Sequence, residues 1–235
     1  MSHDPSKRQT SRSIDLIESM NQYYDARAPW HDENMGYESP EKMERLLAPI
    51  VAVVEPLIRG RDVIEVACGT GNWTQFLAKR ARSVVGTDVS EQALAIARHK
   101  VAGLNNTTLV CRSAYELNTL TDRFDVAFAA DWWSHIPIGA IPRFLESLSP
   151  VLRPSATVIV LDMSMRPLFQ REPSRHDADG NRVSRRFLPD GASHDVVKNF
   201  PSERDLRDLL EGHARNLRYY SFDDLKRWLV VYEQV

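Results

Sequence analysis

The 235-residue sequence holds only two cysteines, Cys68 and Cys111, and nothing near them has the spacing of a metal site. Neither a disulfide framework nor a metal centre is expected, and both thiols read as residents of buried strand ends. No apolar run approaches the ~18 residues of a membrane span, and Met1 to Arg12 is polar, without the apolar segment of a signal peptide. The chain is therefore read as cytoplasmic, with no membrane partner. Charge of one sign is also scarce: a formal net charge of -2 offers no global attraction to nucleic acid. Repeats and low-complexity tracts are absent. What is present, 43% hydrophobic residues, suffices for one large α/β domain with a small molecule as its default partner. A homodimer stays open.

The most informative stretch runs from Val63 to Thr74. A β-branched run, Val63 to Val66, gives way to a turn with Gly69 and Gly71, and a helical pattern starts at Asn72. A buried strand that ends in glycines and feeds a helix brings bare N–H groups and a helix N-terminus to one point, where a polar ligand can rest. The dinucleotide fingerprint requires a third glycine where this chain has Thr74. Glu65, near the strand's carboxyl end, suits a cationic ligand better than a pyrophosphate. Asp88 ends the next strand, 19 positions beyond Gly69, the distance at which a βαβ unit delivers a carboxylate to ribose hydroxyls. Ser90 can cap the following helix, which leaves Asp88 free for that task.

The stretch Glu65-Val66-Ala67-Cys68-Gly69-Thr70-Gly71 resembles the first motif of class I S-adenosylmethionine-dependent methyltransferases. The resemblance covers residues 20–165 by motif and the remainder by order of elements. It implies a Rossmann-like, doubly wound α/β fold with a mixed seven-stranded sheet. Residues 1–12 are expected as a disordered leader and 13–235 as one domain. Within it, 13–60 form a helical lid, 61–165 the cofactor-binding core, 166–200 a substrate-side insertion after the fifth strand, and 201–235 a terminal helix and antiparallel strand pair. The insertion is read as a hairpin around Asp190-Gly191.

The same resemblance implies S-adenosyl-L-methionine as cofactor, held by Tyr24, Glu65, Ala67, Gly69, Gly71, Asp88, Val89, Ser113, Ala114, Asp131 and Trp132. Tyr24 belongs to Tyr23-Tyr24-Asp25-Ala26-Arg27-Ala28, similar to a family segment that folds over the cofactor and offers a tyrosine or arginine to its carboxylate. Ser113-Ala114 departs from the acidic residue usual at the end of the third strand. After the fourth strand, Asp131 to Pro137 resembles the family's fourth motif, and His135 is the candidate general base for methyl transfer to oxygen or nitrogen. Trp30, Tyr37, Trp133, His135 and His194 are the expected substrate contacts. The stretch lacks the Asn-Pro-Pro-Tyr arrangement of adenine- and glutamine-directed enzymes, which again disfavours nucleic acid. The arginine-rich segment 166–186 reads either as a solvated loop or as recognition of an acidic substrate. An NAD(P)-dependent oxidoreductase and a non-catalytic S-adenosylmethionine-binding protein remain alternatives.

Overall fold

The computed structural model describes residues 5–37 and 39–235, with side chains from Ser13 onward except Asn34 and Glu38. The chain opens with a long helix, α1 (Pro5–Arg27), one 3-10 turn and a short α2 (His31–Met35). The helix therefore starts eight residues before Ser13, and residues 5–12 are helical rather than a disordered leader. Proline suits the first turn of a helix, and the polar turns after it carry no apolar stripe to announce them. The first four residues of the expected leader lie outside the described residues.

Ser39 caps α3 (Pro40–Leu46) by accepting from the Lys42 N–H at 3.2 Å, and α4 (Ala48–Ile58) follows. The core then alternates: β1 (Asp62–Val66), α5 (Asn72–Ala78), β2 (Ser83–Asp88), α6 (Glu91–Lys100), β3 (Thr107–Cys111), β4 (Phe124–Ala130), α7 (Ile141–Leu148) and β5 (Leu152–Met163). The insertion holds α8 (Pro167–Arg171) and three strands, β6 (Ser174–His176), β7 (Arg182–Phe187) and β8 (Ser193–Val197). It is thus a three-stranded antiparallel sheet, one strand more than a hairpin. The chain closes with α9 (Glu203–Leu209), started by a Ser202–Asp205 capping box, then β9 (Ala214–Phe222) and β10 (Arg227–Gln234).

The main sheet has seven strands in the order β3-β2-β1-β4-β5-β10-β9. The first five are parallel, and β10 runs antiparallel between β5 and β9. The chain moves outward from β1 to β3, then crosses to β4 on the other side of β1. That reversal opens a crevice at the carboxyl ends of β1 and β4, where open α/β sheets bind ligands. Both strands leave the sheet through a strained residue: Ala67 has φ 53° and Asp131 φ 57°.

Side-chain alternation along β1 divides the core between the two faces of the sheet. Val63 packs with Ile50, Val54, Phe76 and Leu77, while Ile64 and Val66 pack with Phe144, Leu145 and Trp228. Glu65 shares the face of Val63 and so points at α5, although it is only 3% exposed. A third cluster joins Met20 and Tyr23 of α1 to Val183, Val196 and Val197 of the small sheet. The first helix and the insertion therefore brace one another above the crevice. Cys68 is buried as expected, but Cys111 is exposed, because β3 is an edge strand with little covering its last residue. No helix among the described residues is long and apolar enough to cross a membrane.

Candidate active site

The glycine turn after β1 is shaped by two different constraints. Gly71 has φ 82°, and a Cβ there would stand 2.9 Å from the Ala97 Cβ, so its bareness lets α5 pack on α6. Gly69 has φ 55° and would meet nothing within 4 Å; its backbone faces open space in the crevice. The cavity above it is lined by Tyr24, Tyr37, Glu65, Ala67, Gly69, Asp88, Val89, Ser113, Ala114, Asp131, Trp132 and His135. These are twelve of the residues expected from sequence.

Four expected contacts lie elsewhere. Gly71 is behind the wall, against α6. Trp133 is 3% exposed and stacks edge-on with Phe144, because the 3-10 turn Trp133–His135 sends neighbouring side chains to opposite sides. Trp30 is 46% exposed on the outer surface of the first helical segment, and His194 sits 6.1 Å from the Tyr23 ring, outside the cavity.

At the cradle end, two buried carboxylates face the cavity, and among the described residues neither makes an ion pair. The Asp88 Oδ2 accepts from the Gly69 N–H at 2.8 Å and its Oδ1 from the Ser90 N–H at 2.9 Å. Burial raises its pKa, and those two N–H bonds restrain the rise. Ser90 does cap α6, accepting from the Ala93 N–H at 3.0 Å. Glu65 accepts only from the Thr74 hydroxyl at 2.6 Å, and burial pushes its pKa up to about 8. Thr74, in place of a third glycine, is thus the partner of this acid. Desolvation and these two carboxylates also push the Cys68 thiol up.

The opposite end is built from β4, β5, α1 and the insertion. His135 Nδ1 lies 2.6 Å from the Val197 carbonyl, which can only accept, so Nδ1 carries the proton and Nε2 is the lone-pair nitrogen. Toward Nε2 the Tyr24 hydroxyl donates at 3.0 Å and the Lys198 ammonium approaches at 3.4 Å. Lys198, 4% exposed, also donates to Ser134 Oγ at 2.6 Å and pairs with Asp162 at 3.4 Å. Burial, reinforced by Lys198 and Arg186, holds the His135 pKa well below the usual histidine range. Burial drives Tyr24 to about 12, so both groups are neutral near pH 7. Beside them, Asp131 pairs with Arg227 at 2.5 Å, and Arg227 donates to the Tyr37 hydroxyl at 3.0 Å.

Sequence reasoning missed the fastening of the N-terminal segment. Asp32 of α2 accepts from the Thr70 hydroxyl at 2.6 Å and the Asn72 amide at 2.8 Å, and pairs with Lys100 at 2.5 Å. Asp25 accepts from the Ser90 hydroxyl at 2.6 Å. Two carboxylates thus tie the covering helices to the cradle loops. Their partners are 38 to 68 positions away, a separation over which no local spacing signal exists.

A family model described as a methyltransferase domain matches residues 63–155, which span β1 to the first part of β5. A demethylmenaquinone methyltransferase from Staphylococcus aureus (strain MRSA252) is 32% identical over 118 residues, 48% of each chain. The chain thus spans about half the length of the curated relatives it matches. Among solved structures, a DhpI–SAH complex superposes with a TM-score of 0.74 at 26% identity, covering 94% of this chain and 98% of that one. A DhpI–SAM–HEP complex superposes at 0.70 with 29% identity, covering 93% and 97%. The chain thus has the class I methyltransferase fold, and it is similar, through this match and through near-complete superposition on SAM- and SAH-bound structures, to S-adenosylmethionine-dependent methyltransferases.

Proposed function

We propose that this chain transfers a methyl group from S-adenosylmethionine to an oxygen or nitrogen of a small-molecule acceptor. The observation that carries this reading is the pair of buried carboxylates, Glu65 and Asp88, on either side of the bare Gly69 backbone and without a cationic partner. Two such acids in one pocket are costly unless a ligand brings positive charge and hydroxyl donors to them. A ligand with an ammonium, a sulfonium and a ribose diol meets that demand, so the residues fit the cofactor. Asp88 would hold the ribose, Glu65 the cationic end, and Val89, Ser113 and Ala114 the purine side, with Tyr24, Ala67, Asp131 and Trp132 completing the wall.

S-adenosylmethionine supplies a methyl carbon already activated by its sulfonium. The chain's own residues orient and exclude water. Tyr24, Tyr37 and His135 form the acceptor side, and α1 with α2 closes over both ligands through the Asp25 and Asp32 contacts. Such positioning can supply on the order of 7–11 kcal/mol of barrier lowering. His135, uncharged and with its Nε2 lone pair toward Tyr24, is the polar group available to the acceptor.

A nicotinamide-dependent reading shares Asp88 but would place a pyrophosphate against the Glu65 side of the cradle, where the buried acid would have to stay protonated and, among the described residues, has no cation beside it to face the phosphates. Calorimetric titration of the protein with S-adenosylhomocysteine and, separately, with NADPH tests the choice. Binding of the first alone is expected; binding of NADPH alone would overturn the reading.

A further inference from the structure

The charge around His135 is the reverse of the charge around Gly69, and it bears on what the acceptor is. Three cations converge there, Arg186, Lys198 and Arg27. Arg186 places Nη1 3.4 Å from the Tyr24 hydroxyl, Lys198 stands 3.4 Å from His135 Nε2, and Arg27 and Arg186 lie 5.8 and 5.9 Å from the Tyr23 ring. Arg182, 8% exposed, is joined to Arg186 through Glu172, which pairs with both, at 3.7 and 3.0 Å. Among the described residues two carboxylates answer these cations: Glu172, which Arg186 shares with Arg182, and Asp162 beside Lys198. Arg27 has no carboxylate partner among the described residues. An excess of positive charge held in so enclosed a place is unfavourable unless an anion completes it.

The same surroundings make His135 a poor proton acceptor, since an imidazolium would add one more cation beside Lys198 and Arg186. A neutral alcohol or amine acceptor would need somewhere to send its proton. An acceptor that arrives ionised needs nothing of the kind.

Building on the methyltransferase reading, we infer that the acceptor is a small oxyacid, seated against Tyr24, His135 and Arg186, and methylated on its ionised oxygen. The oxyanion lone pair forms the new O–CH3 bond while the CH3–S bond breaks and its electron pair stays on sulfur. A sulfonium and an oxyanion become a neutral thioether and an ester, and no proton moves. The Tyr24 O–H turns from His135 to the oxyanion, and Lys198, already beside Nε2, donates to His135 in its place. Arg186 supplies the charge-assisted contact that selects an acid over its neutral counterpart.

The test is calorimetry on the full chain saturated with S-adenosylhomocysteine, titrated with methylphosphonate, phenylphosphonate and benzoate, and with benzyl alcohol and benzylamine as non-anionic counterparts. At least one acid should bind and neither counterpart should. Arg186→Gln should weaken that acid about tenfold or more, and Arg27→Gln less, both with unchanged S-adenosylhomocysteine affinity as evidence of an intact fold. Binding of S-adenosylhomocysteine with no acid bound, or acid binding unaltered by Arg186→Gln, overturns the inference alone. Failure of S-adenosylhomocysteine to bind overturns the methyltransferase reading, and the inference with it.

Discussion

The two ends of one cavity carry opposite electrostatic problems. At the cradle, Glu65 and Asp88 are buried without a cation, and both pKa values rise. Across the crevice, Lys198, Arg186 and Arg27 crowd a histidine whose pKa falls. Each end by itself is unfavourable, and each becomes reasonable when a ligand of the opposite sign occupies it. A sulfonium donor at the first and an oxyanion acceptor at the second would neutralise both, and would meet in the middle with charges that annihilate on reaction. The contrast also separates the origins of the two sites. The cradle is local, made from β1, its turn and the end of β2, whereas the acceptor end is assembled from α1, β4, β5 and the insertion.

Four experiments sharpen or break this contrast. Asp88→Ala removes a carboxylate that also organises the Gly69 and Ser90 N–H groups. It should weaken S-adenosylhomocysteine by about 10²-fold or more, read by calorimetry, from the loss of charge-assisted bonds. Next in size is a pH effect. Glu65 is protonated in the free protein below about 8, and a cationic ligand favours the ionised form. Affinity should therefore rise with pH by roughly tenfold per unit until about pH 8 and then level off, with the slope abolished in Glu65→Gln. A constant affinity would break the idea that the cradle's acid meets a cation.

The third concerns the other end. If His135 only positions an ionised acceptor, His135→Ala should lower turnover about tenfold and leave cofactor affinity unchanged. A loss of roughly 10²–10⁴-fold would restore the role of general base. The smallest effect belongs to the fastening. Asp32→Ala removes the contacts to Thr70, Asn72 and Lys100. It should speed S-adenosylhomocysteine release a few-fold in stopped-flow fluorescence, as expected for partly exposed polar links.

The local character of the cradle explains why it was readable from sequence. The glycine positions, Asp88 and the Ser90 cap follow from the spacing of one βαβ unit, and the Ser202–Asp205 capping box and the antiparallel end of the sheet are equally local. Other features had no such signal. Strand β6 is three exposed polar residues that acquire strand form only by pairing with β7. Trp132 and Trp133 are adjacent and chemically alike, and only the hand of the turn sends the first to the cavity and the second to the core. Lys198, just past β8, carries no local signal of its partner, and only the fold brings it to Asp162, 36 positions earlier. The cation excess at the acceptor end is a sum over α1, β7 and the residue after β8, and the arginine-rich stretch hinted at it without saying which arginine reaches Tyr24.

The most direct test of the opposed ends is a crystal structure of the protein with S-adenosylhomocysteine. The ribose hydroxyls should bond to Asp88, the amino acid part should lie toward Glu65 and the Gly69 turn, and the sulfur should face the Tyr24 and His135 side. A ligand whose ribose leaves Asp88 untouched, or whose sulfur points away from His135, would contradict the assignment of the two ends.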